Sequence, residues 1–338
     1  MCAPPHARAC RCGTIGGVTS ATPGPQTPAP NAPATTDRTG RIARTGQVDR
    51  PGPRPRLIAT DLDGTLLRDD KTVSDRTIAA LAAAEAAGIE VFFVTGRPAR
   101  WMDVVSAHVH GHGLAICGNG AAVVDLHGGP GAHSFVKVRE LERECALDVV
   151  RRVRAASPGT SFAVERTGGL HHEETYPPLH MEPGESVAPA EKLLAEIPAD
   201  PAVAEQPVLK ILAFHPELAP DDFLVVARAA VRDRATVTRS SPSALLEISG
   251  PGVSKASTLE LCCAERGITP AEVVAFGDMP NDIEMLSWAG TSYAMGNAHP
   301  DVIAAASGRT VANNDDGVAV VIEQILADHH HEAQRPPA

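Results

Sequence analysis

The residues with the most chemistry in this 338-residue chain are acidic and fall in two groups. Asp61-Leu-Asp63-Gly-Thr follows the apolar run Leu57-Ile-Ala-Thr60, and Gly277-Asp278-Met-Pro-Asn281-Asp282 follows Val273-Val-Ala-Phe276. Each run reads as a short buried strand, so each acidic group stands at the carboxyl end of a strand, where open α/β sheets place their ligands. Gathered at one edge, these carboxylates repel one another and need a cation, and an all-oxygen donor set suits Mg2+. Such a site can receive a phosphate oxygen and shield a carboxylate nucleophile from an anionic substrate, so that the carboxylate attacks phosphorus. Thr95, at the end of a further apolar run, and Lys255 could donate to the phosphoryl oxygens.

The elements that must position these groups are legible around them. Ser74 caps a helical pattern containing Ile78 and Leu81, which Gly88 ends; the run Ile89 to Val94 then delivers Thr95-Gly96-Arg97-Pro. Strand, helix, strand predicts a parallel sheet with right-handed crossovers. The grammar repeats when Ser254 caps a helix from Lys255 to about Arg266, a strand leads to Asp278, and a helix follows through Ile283, Leu286 and Ala289. The expected fold is α/β, a doubly wound parallel sheet whose halves, 57–137 and 239–328, are interrupted by an α+β cap at 138–238. Within the cap the patterns predict helices at Glu140 to Ala155, Pro189 to Ile197 and Asp221 to Arg232. Strands are expected at Ser161 to Glu165, Val208 to Phe214, Ala235 to Arg239 and Ala244 to Ile248. Lys137 and the stretch Arg239 to Pro242 are the expected hinges of a lid.

Composition bounds the partners. A formal charge of −11 argues against nucleic acid or an anionic membrane as the main partner. No apolar run approaches the roughly 18 residues of a membrane span. Seven cysteines are few and odd in number, unlike a disulfide framework, and point to the cytoplasm. Cys2, Cys10 and Cys12 lack a fourth ligand at regular spacing, and Cys262 and Cys263 read as packing residues in a helix. The segment 1–56 holds ten prolines with little apolar content, so it reads as a disordered tail or as the product of an upstream start codon. Residues 329–338 read as a disordered C-terminal tail. None of this fixes an oligomeric state.

Taken together, Asp61-Leu-Asp-Gly-Thr, Thr95-Gly-Arg-Pro, Gly252-Val-Ser-Lys255 and Gly277-Asp-Met-Pro-Asn-Asp282 resemble the haloacid dehalogenase superfamily, and within it the Cof-type phosphatases with a C2B-type cap. Gly118-Asn-Gly-Ala121, Ala294-Met-Gly-Asn-Ala298 and Asn314-Asp-Asp-Gly-Val318 add to the resemblance, which covers about Leu57 to Leu326. It implies a Mg2+-dependent phosphomonoester hydrolase that forms an aspartyl-phosphate. The substrate class implied is a small phosphorylated metabolite, a sugar phosphate or similar compound such as a riboflavin-pathway intermediate. The resemblance makes Asp61 the nucleophile and a metal ligand, and Asp63 the general acid/base and, through its backbone carbonyl, a second ligand. Asp278 completes the metal shell and Asp282 orients it or the lysine from behind. Lys255 neutralises the nucleophile and the phosphoryl group, whose oxygens Thr95, Gly96 and Asn281 bind.

Other residues keep two readings. Arg97 and Asn119 could reach the substrate or serve turns and packing. His171, His172, Glu173, Glu174 and Tyr176 cluster in the cap and could bind a second metal or meet the leaving group, but a solvated loop explains them more simply. Lys210, in an otherwise apolar strand, faces either the site or water. Two other functions stay open: a phosphomutase or phosphotransferase with the same chemistry, and a non-catalytic phosphometabolite-binding protein.

Overall fold

The structure is a computed structural model that describes residues 54–106, 113–179, 185–195, 206–241 and 243–333. The expectations for residues 1–53 of the N-terminal tail and its cysteines, and Pro242 of the second expected hinge, lie outside those residues.

The main body is built on strands β1 (Leu57–Thr60), β2 (Glu90–Val94), β3 (Leu114–Cys117), β4 (Ala122–Asp125) and β5 (Ser134–Val138). After the cap strands β6 (Ser161–Arg166), β7 (Gly169–His172), β8 (Val208–Phe214), β9 (Thr236–Thr238) and β10 (Leu245–Ser249), the body resumes with β11 (Val273–Gly277), β12 (Thr291–Ala294) and β13 (Gly308–Arg309). Its sheet is eight-stranded, in the order β13-β12-β11-β1-β2-β3-β4-β5. The direction of progression reverses between β1 and β11, which pair in parallel with Thr60 beside Phe276. Their carboxyl ends therefore flank the switch point where doubly wound sheets open a crevice. Among the described strands of this sheet only β4 runs against the others, pairing antiparallel with β3 and β5, because the short turn Gly118–Ala121 has no room for the crossover that a parallel return needs.

The core follows from the apolar runs. Leu57, Ile58, Phe92, Val94, Ile116, Val274 and Phe276 are almost wholly excluded from solvent, each contributing on the order of 1.5–3 kcal/mol. Ser74 accepts from the Thr77 amide and starts helix Asp75–Ala86, while Ser254 forms a reciprocal box with Ser257 and starts helix Lys255–Glu265.

The cap is a five-stranded antiparallel sheet, β7-β6-β8-β10-β9. Helices Arg143–Ala156 and Pro220–Val231 cover one face through Val149, Val150, Val153, Phe223 and Ala227, which meet Phe162, Val164, Ile211 and Leu246. Three boundaries differ from the sequence reading. β10 pairs with β8 and β9, so the chain leaves the cap sheet after Ser249 instead of at 239. Lys137 lies inside β5, paired with Val123, which puts the outward crossing just beyond it, where Arg139 bonds to Ser257 Oγ (2.8 Å), Thr258 Oγ1 (2.7 Å) and the Gly252 carbonyl (3.1 Å). At the far end, helix Gly317–Ala333 runs past the expected start of the tail at 329. No helix among the described residues is long and apolar enough to cross a membrane.

Candidate active site

Four loops converge at the switch point. Asp61 leaves β1 with its amide on the Phe276 carbonyl (3.1 Å), so the β1–β11 ladder holds its Cα in place. Gly64 follows at φ +77°, and a Cβ there would run into Asp278 Oδ2. Glycine is thus required both for the left-handed backbone and for the approach of the two acidic loops. Asn297 donates to the Gly64 carbonyl (2.8 Å) and Asn313 to the Leu67 carbonyl (2.9 Å), so the segments after β12 and β13 brace the Asp61–Leu67 loop.

Lys255 is the first residue of its helix and 1% exposed. A helix N-terminus and a dry interior both disfavour a cation, so it needs compensation. Its Nζ lies 2.5 Å from Asp61 Oδ1 and 2.7 Å from Asp282 Oδ1. Burial works against this ammonium, but Asp282 and Asp61 outweigh it and hold its pKa well above the usual range. Asp282 turns its other oxygen to the amides of Asp278 and Met279, each at 3.0 Å. Asp278 in turn accepts from Thr65 Oγ1 at 2.9 Å.

Asp61, Asp278 and Asp282 offer oxygens within 4.8 Å of one another. With a single lysine among them, the cluster is short of positive charge. Burial, aided by the Asp282 and Asp278 charges, pushes the Asp61 carboxyl well up despite Lys255. Burial and the Asp282 charge push Asp278 up to about 7. This oxygen-rich set fits a hard divalent cation. Both Asp282 oxygens are already engaged by Lys255 and backbone amides, so Asp282 suits an orienting role better than a ligand role.

Asp63, two residues on, points elsewhere. Arg97 grips it with Nε to Oδ2 (2.6 Å) and Nη2 to Oδ1 (2.8 Å), and Lys71 adds a third bond at 2.8 Å. Burial would raise this carboxyl, but the bonds to Arg97 and Lys71 outweigh it and hold it down to about 2. Arg97 therefore clamps Asp63 through two hydrogen bonds. Lys71 escaped the sequence reading; its one signal was position, in the turn after the Asp61–Leu67 loop, and its φ of +66° is a feature only structure shows.

Thr95 and Gly96 form the turn after β2. The Arg97 amide donates to Thr95 Oγ1 (3.1 Å) and the Asn119 amide to the Thr95 carbonyl (2.9 Å). Asn119 sits buried at φ 55°, where Asn281 Nδ2 donates to its Oδ1 at 3.0 Å. The structure thus brings Thr95, Gly96, Asn119 and Asn281 together, and Lys255 joins the acidic cluster beside them.

The histidines are not part of this group. His171 and His172 end β7, with His171, His172, Glu173 and Tyr176 all buried, which overturns the solvated-loop reading for all of the cluster except Glu174. His171 Nδ1 accepts from the Ser186 amide (3.1 Å), His172 Nδ1 donates to the Glu173 carbonyl (2.8 Å), and Glu173 accepts from Arg154 (2.7 Å). These are bonds within the cap, and no group of three metal-binding side chains forms there among the described residues.

A profile of the haloacid dehalogenase-like hydrolases matches residues 58–322. The chain belongs to that family. The 5-amino-6-(5-phospho-D-ribitylamino)uracil phosphatase YitU of Bacillus subtilis (strain 168) is 28% identical over 282 residues, which span 81% of this chain and 98% of YitU. An HMP-PP phosphatase from Enterobacter sp. (strain 638) is 29% identical over 251 residues, 74% of this chain and 87% of its own. Among solved structures, a haloacid dehalogenase-like hydrolase from B. subtilis superposes with a TM-score of 0.66 at 24% identity, covering 79% of this chain and 99% of its own. That likeness shows the fold. The relatives are named as phosphatases, and this hydrolase is a phosphatase enzyme of the same family.

Proposed function

We propose that this hydrolase releases phosphate from a small phosphomonoester through an aspartyl-phosphate on Asp61. The observation that carries the reading is the Asp61–Lys255–Asp282 chain beside Asp278 at the sheet's switch point. Asp61, Asp278 and the backbone carbonyl of Asp63 would hold Mg2+, which when bound supplies positive charge against the substrate phosphate and the crowded carboxylates.

Asp61 attacks phosphorus through a carboxylate oxygen while the bond from phosphorus to the substrate's alcohol oxygen breaks. Lys255, 2.5 Å from Asp61 Oδ1, opposes the burial that raises this carboxyl and faces the charge that develops on the phosphoryl oxygens, and Thr95 and Asn281 donate to those oxygens. Asp63 gives its proton to the departing alcohol oxygen and afterwards takes one from the water that attacks the acyl phosphate, restoring Asp61. In the arrangement described, Arg97 and Lys71 hold Asp63 as a carboxylate, the form that accepts a proton. The acid step requires Asp63 to turn away from both cations and take up a proton from solvent as substrate enters, and that proton is the one it passes to the alcohol oxygen.

The names of YitU and the HMP-PP phosphatase support a small phosphorylated metabolite as substrate. The test is phosphate release from phosphorylated sugars, nucleotides and pathway intermediates with Mg2+, using Asp61→Asn as control. Turnover of at least one compound well above that control is expected; none would sink the catalytic reading. Release of inorganic phosphate with no diphosphorylated activator separates hydrolysis from mutase or phosphotransferase chemistry.

A further inference from the structure

The cap sheet has one face under its helices and one turned away from them. On the second face, alternation and register place Ala163 and Glu165 of β6, Lys210 and Leu212 of β8, and Glu247 of β10. This face meets the catalytic body. Lys210 Nζ donates to the Gly96 carbonyl at 2.7 Å, and Arg100 binds Glu165. A Cβ on Gly96 would stand 3.3 Å from both Glu247 Oε1 and Asn119 Oδ1. The face is therefore the roof over the Thr95–Gly96 turn and Asn119.

The charges on this roof cancel in pairs. Glu247 accepts from Lys210 and Ser240, and Glu165 from Arg100. Burial pushes the Glu247 carboxyl up, but Lys210 outweighs it and holds it low. On this face Tyr176 is 3% exposed and its hydroxyl has no hydrogen-bond partner among the described residues. Its ring packs against Ala163, Leu170 and Leu212, and Leu212 is the register partner of Glu247. Burial raises the pKa of the orphaned hydroxyl, which also lies within reach of the Glu247 and Glu165 charges that raise it further, and Glu247 borders the Thr95–Gly96 turn. A buried hydroxyl without a partner forfeits the hydrogen bonds it made to water, so the site favours a ligand that restores them.

We propose that Tyr176, Glu247 and Lys210 form a leaving-group subsite, and that it takes an uncharged, hydroxyl-bearing chain such as a polyol in preference to a leaving group with a second phosphate. A hydroxyl of the ligand accepts from the Tyr176 hydroxyl or donates to it, while Leu212 and Leu170 cover the carbon backbone. A second phosphate would meet two ion pairs already satisfied and a carboxylate, with large desolvation and little gain.

The inference rests on the phosphatase reading, and two measurements keep their failures apart. The first is kcat/KM for ribitol 5-phosphate, ribulose 1,5-bisphosphate and p-nitrophenyl phosphate in the wild type and in Tyr176→Phe. The wild type should favour ribitol 5-phosphate over the bisphosphate by about tenfold or more, and Tyr176→Phe should lower the ratio of ribitol 5-phosphate to p-nitrophenyl phosphate about tenfold. A ratio that does not move, or a preference for the bisphosphate, overturns the subsite. The second is calorimetric binding of ribitol 5-phosphate to Asp61→Asn with and without Tyr176→Phe. Binding that weakens about tenfold on loss of the hydroxyl, in a protein whose wild type turns nothing over, sinks the phosphatase reading and upholds the subsite. Binding that is absent, or indifferent to the hydroxyl, overturns the subsite.

Discussion

Lys255 Nζ stands 2.5 Å from Asp61 Oδ1 although 194 residues separate them in the chain. The contact joins the end of β1 to the first residue of helix Lys255–Glu265, and the whole cap is inserted between its two partners. Both groups are almost fully buried, so neither charge is tolerable without the other.

Lys255→Met should therefore cost both activity and stability. Removing one partner from a buried ion pair leaves uncompensated charge, a loss of about 3–5 kcal/mol. Combining Lys255→Met with Asp61→Asn should recover part of that loss, since the orphaned carboxylate goes too. Phosphate release in either single variant should fall at least about a thousandfold. Denaturant melts of the two single variants and the double variant check the coupling, and strictly additive losses would contradict it.

Metal binding should depend on pH through Asp278. Its folded pKa of about 7 lies above the ordinary value of 3.8. In the metal-free protein the stability from this group is full below that ordinary value and is lost as pH rises through about 7. A bound cation favours the ionised form, so the Tm gain on adding MgCl2 over an EDTA control should grow with pH up to about 7 and then level off. A gain that is constant from pH 5.5 to 8 would speak against Asp278 as a ligand.

Lys71 and Arg97 should set the acid limb of stability. Asp63 is held down to about 2, so its contribution is present above its ordinary value near 3.8 and disappears as pH falls through about 2. Its side chain is 42% exposed, which limits the effect to about 1 kcal/mol. Lys71→Ala should narrow the difference in Tm between pH 5 and pH 3, and an NMR titration of the Asp63 carboxyl should move upward. No movement would show that Arg97 alone holds the carboxylate.

Gly64→Ala should separate the acidic loops. The left-handed φ and the contact with Asp278 together predict a loss of about 2 kcal/mol or more. The Tm gain from Mg2+ should shrink as well, because Asp278 is pushed from its place. A variant with wild-type melting and a full Mg2+ response would refute the close approach.

Much of the catalytic body could be read in the chain because its signals are local. Ser74 and Ser254 start helices where a side-chain cap meets an apolar pattern, and β1 and β11 are short apolar runs each ended by carboxylates. The cap cluster reads as a solvated loop because histidines and glutamates favour surfaces, whereas β7 pairs with β6 and His171, His172 and Glu173 are buried there. Arg97 reads in sequence as either a substrate contact or a turn residue, and in the fold it clamps Asp63, since only the fold reveals that the turn after β2 faces the loop after β1. Lys210 and Glu247 each interrupt an apolar strand, a hint of pairing that no single strand can resolve.

By itself the sequence determined which groups exist, in what order, and that they end strands, because strand period, caps and turn residues act over a few neighbours. Only the tertiary structure decided which oxygen meets which nitrogen: Lys255 between Asp61 and Asp282, Asp63 turned to Arg97 and Lys71, Lys210 laid on Gly96. Those choices arise where sheet order brings distant loops together and burial makes every unpaired charge costly, and neither condition is written in any one segment of the chain.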